Sequence, residues 1–190
     1  MSKLQDYAYE TENIIIRARR LEDYKTFIDA YVSQEPSLRK YDKGFQDMRF
    51  ATKKWYKEKL KLWDSLASKD VAYLFGVFRK NDGKIVGYCD LATQYREDYQ
   101  IGMVGYAIFN PFWNSGYAKE AVEAMIHIGF NLLGYHRLEA HINLDNDISK
   151  KVVLSSGFKF EGIREKYIRE DDVWTDHEVY ILINPKDDKK

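Results

Sequence analysis

The sequence predicts a mixed α/β (α+β) fold, and three observations carry that expectation. The apolar period alternates between helical and extended along the chain, a strong hairpin signal sits in its middle, and one long amphipathic segment follows a run of strands. Composition narrows the classes. The 190 residues are 45% hydrophobic and 15% aromatic, with 30 Lys+Arg against 30 Asp+Glu. Neither a disordered chain nor a nucleic-acid binder with its basic excess has that balance. A chain of this length buries roughly 70% of its unfolded surface, so a single domain over residues 1–190 is expected.

Ile14–Arg19 follows a branched run with alternating basic residues and reads as a strand. Leu21, Tyr24, Phe27, Ile28 and Tyr31 then recur at helical spacing, as do Tyr56, Leu60, Trp63 and Ala67. Val71–Arg79 and Ile85–Thr93 are rich in branched and aromatic residues and flank Asn81-Asp82-Gly83-Lys84, where Gly tolerates the positive φ of a hairpin turn. Gly102–Phe109 adds a third antiparallel strand. Ala118, Ala121, Val122, Met125, Gly129, Leu132 and Leu133 make the apolar stripe of the best-defined helix. A strand at Arg137–Asn143 and a short helix at Asp147–Ser156 come next, the helix with cap oxygens at Asp145 and Asn146 and Gly157 as its left-handed C′ residue. Two strands, Phe158–Ile168 and Trp174–Ile183, close the chain. The predicted order is β, α, α, β, β, β, α, β, α, β, β, with one right-handed parallel crossover through the long helix.

Several chemistries are excluded or left without support. Cys89 is alone, so no intramolecular disulfide forms, and the four His are scattered without metal-ligand spacing; a reducing cytoplasm and no metal are expected. Residues 1–11 are polar, without the apolar stretch of a secretory signal, and no run has the length of a membrane helix. The expected partners include no membrane and no nucleic acid.

The informative segment is Asn110-Pro111-Phe112-Trp113-Asn114-Ser115-Gly116-Tyr117-Ala118, between a strand and the long helix. Backbone N–H groups of such a turn, with the unpaired donors of the first helical turn, make a concave anion site. The segment is neither a Walker loop nor a dinucleotide-binding GxGxxG.

This arrangement resembles the GNAT superfamily of acetyl-CoA-dependent N-acetyltransferases. Its turn pattern, Arg/Gln-x-x-Gly-x-Gly/Ala, is similar to Trp113-x-x-Gly116-x-Ala118. Further resemblance lies in His136-Arg137-Leu138-Glu139-Ala140, in Asn146-Asp147-Ile148-Ser149, in Gly157-Phe158-Lys159-Phe160-Glu161-Gly162 and in Trp174–Tyr180. The aromatic Trp113 and these motifs are most similar to the branch that acetylates ribosomal-protein N-termini (RimJ/RimL-type).

The resemblance implies a mostly antiparallel sheet splayed at the cofactor site, with flanking helices. It implies acetyl-CoA as cosubstrate, its pantetheine arm along the backbone of Ala107, Ile108 and Phe109, and its pyrophosphate on Asn114, Ser115, Gly116, Tyr117 and Ala118. Asn146 and Ser149 would face the thioester, and Lys150 or Lys151 would meet phosphates or stay solvated. The acceptor would be a primary amine, first a protein N-terminal α-amino group, alternatively a small amine such as a polyamine or an aminoglycoside, used by a monomer or a homodimer; a catalytically weak acetyl-CoA-binding regulatory module is the other alternative. Ser149 is either proton donor to the leaving thiolate or a helix-capping residue. A carboxylate of the family's meander strand is replaced here by Met103-Val104 before Gly105-Tyr106, which leaves Glu139 and Asp90 as candidate bases acting through water.

Overall fold

The structure, a computed structural model, describes residues 3–187; residues 1, 2 and 188–190 of the expected domain lie outside the described residues. Eight strands form one sheet: β1 (Ala8–Glu10), β2 (Ile14–Arg17), β3 (Ala72–Arg79), β4 (Ile85–Tyr95), β5 (Ile101–Ile108), β6 (Arg137–Asn143), β7 (Lys159–Glu170) and β8 (Val173–Ile183). Their spatial order is β1-β2-β3-β4-β5-β6-β8-β7. The helices are α1 (Tyr24–Val32), α2 (Lys53–Ser68), α3 (Tyr117–His127) and α4 (Asp147–Ser155). This is the mixed, mostly antiparallel architecture that the sequence predicts.

Two local features depart from the expectation. Strand β1 is additional; it has only three residues, of which Tyr9 is half-buried and stacks on His127, so it is too short to display an alternation. The long helix changes character at its end, where Ile128–Leu132 forms a π-helical turn closed by Leu133 N–H to Ile128 O. A Cβ at Gly129 would stand 3.0 Å from Leu138, so glycine lets this turn press onto β6. The end of α4 follows expectation: Gly157 takes φ +94°, Gly157 N–H bonds to Leu154 O and Phe158 N–H to Val153 O, the paired bonds of a Schellman stop.

Alternation along the strands sorts side chains onto two faces. Ile14, Ile16, Phe75, Val77, Cys89, Leu91, Leu138 and Ala140 pack against Val122 and Met125 of α3 and Val153 of α4. On the opposite face Phe78, Ile85 and Phe109 meet Phe27 of α1 and Tyr56 of α2. Each large apolar side chain fully buried here contributes roughly 1.5–3 kcal/mol. Cys89 belongs to this packing; burial raises its thiol's pKa, so it is no nucleophile.

The sheet is interrupted at one place. Strands β5 and β6, the one parallel pair, are in register only over Ile101–Met103 and Arg137–Glu139. Beyond Met103, β5 is paired by β4 alone, and beyond Glu139, β6 is paired by β8 alone, so a cleft opens between two diverging strand edges.

Candidate active site

Strand register decides which backbone groups face the cleft. Phe109 N–H donates to Val86 O at 2.9 Å, so Phe109, and by alternation Ala107 and Gly105, direct their hydrogen-bonding groups to β4. Val104, Tyr106 and Ile108 direct theirs into the cleft. Of the expected trio Ala107, Ile108 and Phe109, then, only Ile108 is on the open edge, and its carbonyl accepts a 2.7 Å bond from Trp113 Nε1. The backbone groups of Val104 and Tyr106 lie on that edge with it. The two-residue period was legible in the sequence; which phase faced the gap was not.

The turn into α3 is built for backbone donors. Asn114 and Gly116 have φ of +60° and +80°, and a Cβ at Gly116 would meet nothing within 4 Å. Glycine is thus favoured by the conformation, and the space before it is open. Gly116 O accepts the Lys119 and Glu120 N–H groups, which leaves those of Tyr117 and Ala118 as the unpaired donors of the first turn. Ser115 Oγ donates to Trp113 O at 3.4 Å. Two cations not singled out from sequence flank the turn: Arg39 lies 4.7 Å over the Trp113 ring and Arg79 5.0 Å over that of Phe112. Neither carried a local motif that marked it.

Across the cleft, Asn146 Oδ1 caps α4 by accepting Ser149 N–H at 3.3 Å. Tyr106 OH donates to Ser149 O at 3.3 Å, a tie from the open edge of β5 to the start of α4. Burial pushes the Tyr106 phenol up to about 12, so it stays protonated. Ser149 Oγ takes part in neither bond. Lys150 is committed elsewhere, with Nζ 2.7 Å from Glu178 and 2.6 Å from Leu144 O, whereas Lys151 is exposed.

The two candidate bases share the α1/α2 face, because Asp90 pairs with Gly105, Met103 lies two residues away on the same face, and Met103 pairs with Glu139. Their surroundings differ. Glu139 is 3% exposed and bonds His141 Nε2 and Arg137 Nε at 2.7 Å, with Arg164 at 3.1 Å. Burial would raise its pKa, but the bonds from His141 and Arg137 and the charges of Arg137 and Arg164 hold it at about 2. A carboxylate held so low has little affinity for a proton. Asp90 makes no hydrogen bond or ion pair among the described residues, and burial, opposed by Arg19, pushes it up to about 6. Its oxygens stand 2.7 and 2.9 Å from where a Cβ at Gly105 would be. Glycine at 105 therefore makes its room.

A strap crosses the open end of the cleft. The α1–α2 connection, residues 33–52, is tied to the β5 end by buried Asn110, whose Oδ1 accepts Glu35 N–H at 2.9 Å and whose Nδ2 donates to Glu35 O and Asp42 Oδ2 at 3.0 Å. It is tied to the β6 end by Lys40, 2.7 Å from Asp145, and by the Tyr41 hydroxyl on the same carboxylate. Among the described residues no cluster of His, Cys, Asp and Glu is arranged to hold a metal, and no helix is long and apolar enough to cross a membrane.

An open strand edge, a turn rich in backbone donors and an unpaired carboxyl thus lie about the break in the sheet. Residues 13–159 match the family model described as acetyltransferase (GNAT) domain, and the chain belongs to that family of N-acetyltransferases. It is 33% identical over 121 residues to the protein named "Probable N-acetyltransferase YjcK" of Bacillus subtilis, a match covering 64% of this chain and 67% of that one. The ribosomal-protein-S5-alanine acetyltransferase structure from Vibrio fischeri superposes with TM-score 0.75 at 26% identity, covering 95% and 98% of the two chains. Mycobacterium smegmatis RimJ, in complex with CoA-disulfide, superposes with TM-score 0.78 at 18% identity, over 99% of this chain and 91% of that one. Family members use acetyl-CoA.

Proposed function

We propose that this single-domain enzyme transfers the acetyl group of acetyl-CoA to the α-amino group of a protein N-terminus, with Asp90 as general base. The observation that carries the base assignment is Asp90 itself, an unpaired and largely buried carboxyl whose pKa of about 6 lets it take a proton near neutral pH. The similarity to the S5-alanine acetyltransferase supports the acceptor class.

Val104, Tyr106 and Ile108 hold the pantetheine arm along the open edge. Asn114, Ser115, Gly116, Tyr117 and Ala118 hold the pyrophosphate through backbone donors, and Arg39 and Lys151 add positive charge at its rim, Arg79 being paired with Asp82 at 2.6 Å. The neutral amine attacks the thioester carbonyl carbon and its surplus proton passes to Asp90 through water. Backbone N–H groups of the edge stabilise the oxyanion. The carbon–sulfur bond then breaks, and the Ser149 hydroxyl, held near the thioester by the Asn146 cap, gives a proton to the departing thiolate.

Thiol release from acetyl-CoA tests this reading. Peptides with N-terminal Ala, Ser or Met should be turned over faster than spermidine or aminoglycosides. Binding of acetyl-CoA without turnover of any amine would overturn the catalytic reading, and a preference for polyamines would overturn the acceptor class.

A further inference from the structure

Arg19 follows β2 on the face of α1 and α2, and it is 6% exposed. No ion pair to it is found among the described residues. Its Nε is buried without a hydrogen-bond partner, and its guanidinium lies 4.8 Å over the Trp63 ring and 5.9 Å over that of Phe27. The side chain crosses the sheet above Gly76, where a Cβ would come within 3.3 Å of Arg19 Cγ. Nearby, the buried hydroxyl of Tyr56 is also without a partner. An unpaired buried cation costs several kcal/mol, so a fold that keeps one has left a place for an anion.

Two surroundings indicate where that anion belongs. Arg19 faces Asp90 and acts on it electrostatically, yet no ion pair joins them. On its other side it borders a hollow of about 300 Å³ walled by Leu60 and Trp63 and rimmed by Arg20, Lys61 and Asp64. The cation thus stands between the proposed base and a partly apolar hollow whose rim carries two further cations and one carboxylate.

We infer that Arg19 selects acceptors that carry an anionic group beyond the reacting amine, with the amine at Asp90 and the anion on Arg19. This rests on the acetyltransferase reading with Asp90 as base and narrows its acceptor. The shared chemistry is a carboxylate, supplied by an acidic side chain next to a peptide N-terminus or by a free aminocarboxylate. A polycation is disfavoured, because it brings a second positive charge against Arg19.

The test compares matched acceptors. Ala-Glu-Ala amide against Ala-Gln-Ala amide forms the peptide arm, and 4-aminobutyrate against 4-aminobutyramide the small-molecule arm. The acidic member of at least one pair should have kcat/KM higher by about tenfold or more, the arm that responds naming the source. Arg19→Met should collapse that ratio towards one, with the acetyl-CoA affinity unchanged. The double variant R20Q/K61Q, on the exposed rim, should lower the ratio by a smaller factor. Calorimetric binding of the preferred acidic acceptor to wild type, absent in Arg19→Met, reads the site without turnover. Equal use of acidic and amide acceptors, or spermidine as the best substrate, would overturn the inference while leaving the acetyltransferase reading intact. Failure to bind acetyl-CoA would instead strike the underlying reading.

Discussion

Two carboxyl groups stand on the same face of the sheet, one on each side of the line where it splits, and the fold treats them oppositely. Glu139 is enclosed by Arg137, His141 and Arg164, and Arg137 in turn binds Glu161 at 2.8 Å. Asp90 has no bonded partner among the described residues, and its nearest cation, Arg19, stays apart from it. Pairing with opposite charge lowers one pKa and desolvation raises the other, so two candidates equivalent in the sequence separate in their affinity for a proton. What decides the difference is the supply of partners: β6 and β7 bring Arg137, His141 and Arg164 to Glu139, whereas β4 and β5 carry no Lys or Arg.

The largest effect expected from breaking this contrast is on the unpaired side. Asp90→Asn should lower kcat by about 10²–10⁴-fold, the usual contribution of a positioned base, without changing acetyl-CoA affinity by calorimetry. In the wild type, kcat/KM should rise as pH passes about 6, and that limb should vanish in the variant. Stability should move the other way. The folded pKa of Asp90 exceeds its unfolded value, so stability present at low pH is lost as pH rises through about 6. Asp90→Asn should therefore raise stability at pH 7 by on the order of 2 kcal/mol, read by urea denaturation.

Glu139→Gln should produce the mirror image, a fall in stability of about 2–4 kcal/mol at pH 7, because it strips a buried cluster of its anion. The folded pKa of about 2 lies below the unfolded value, so the contribution is present at neutral pH and fades as pH falls from roughly 4.5 towards 2. Denaturation midpoints of variant and wild type should converge over that window. A smaller effect is expected at Gly105, where Gly105→Ala places a Cβ 2.7 Å from Asp90 Oδ1 and must displace the carboxylate. Its kcat should drop by about tenfold through misplacement of the base, with a shifted acid limb in the pH profile.

Much of this molecule was legible from local pattern. The hairpin at Asn81–Lys84, with Gly83 at φ +70°, the bounds of β6, the Asn146 cap and the Gly157 stop each depend on a few neighbouring residues. Asp90 was legible as a candidate and Met103 as a departure from the family pattern. What escaped depends on tertiary placement: the surroundings of Arg19 require Gly76 and Trp63, far along the chain, and the capped Ile108 carbonyl requires the turn that brings the indole of Trp113 back onto it. Periodicity assigns a side chain to a face. It does not count the charges that gather there.

The bonds of Asn110 join two territories that the chemistry treats as separate. One side chain grips the backbone of the strap leading from α1, whose Tyr31 lies 5.1 Å from Phe109, and its own backbone opens the turn that ends at Gly116. Whatever energy either substrate spends in settling that shared piece of chain is no longer required of the other, and linkage makes the favour reciprocal. Saturating acetyl-CoA should thus tighten the acceptor by the same factor with which the acceptor tightens acetyl-CoA. In Asn110→Ala, equilibrium titrations should show that factor fall towards one, leaving two ligands indifferent to each other on an enzyme that still folds.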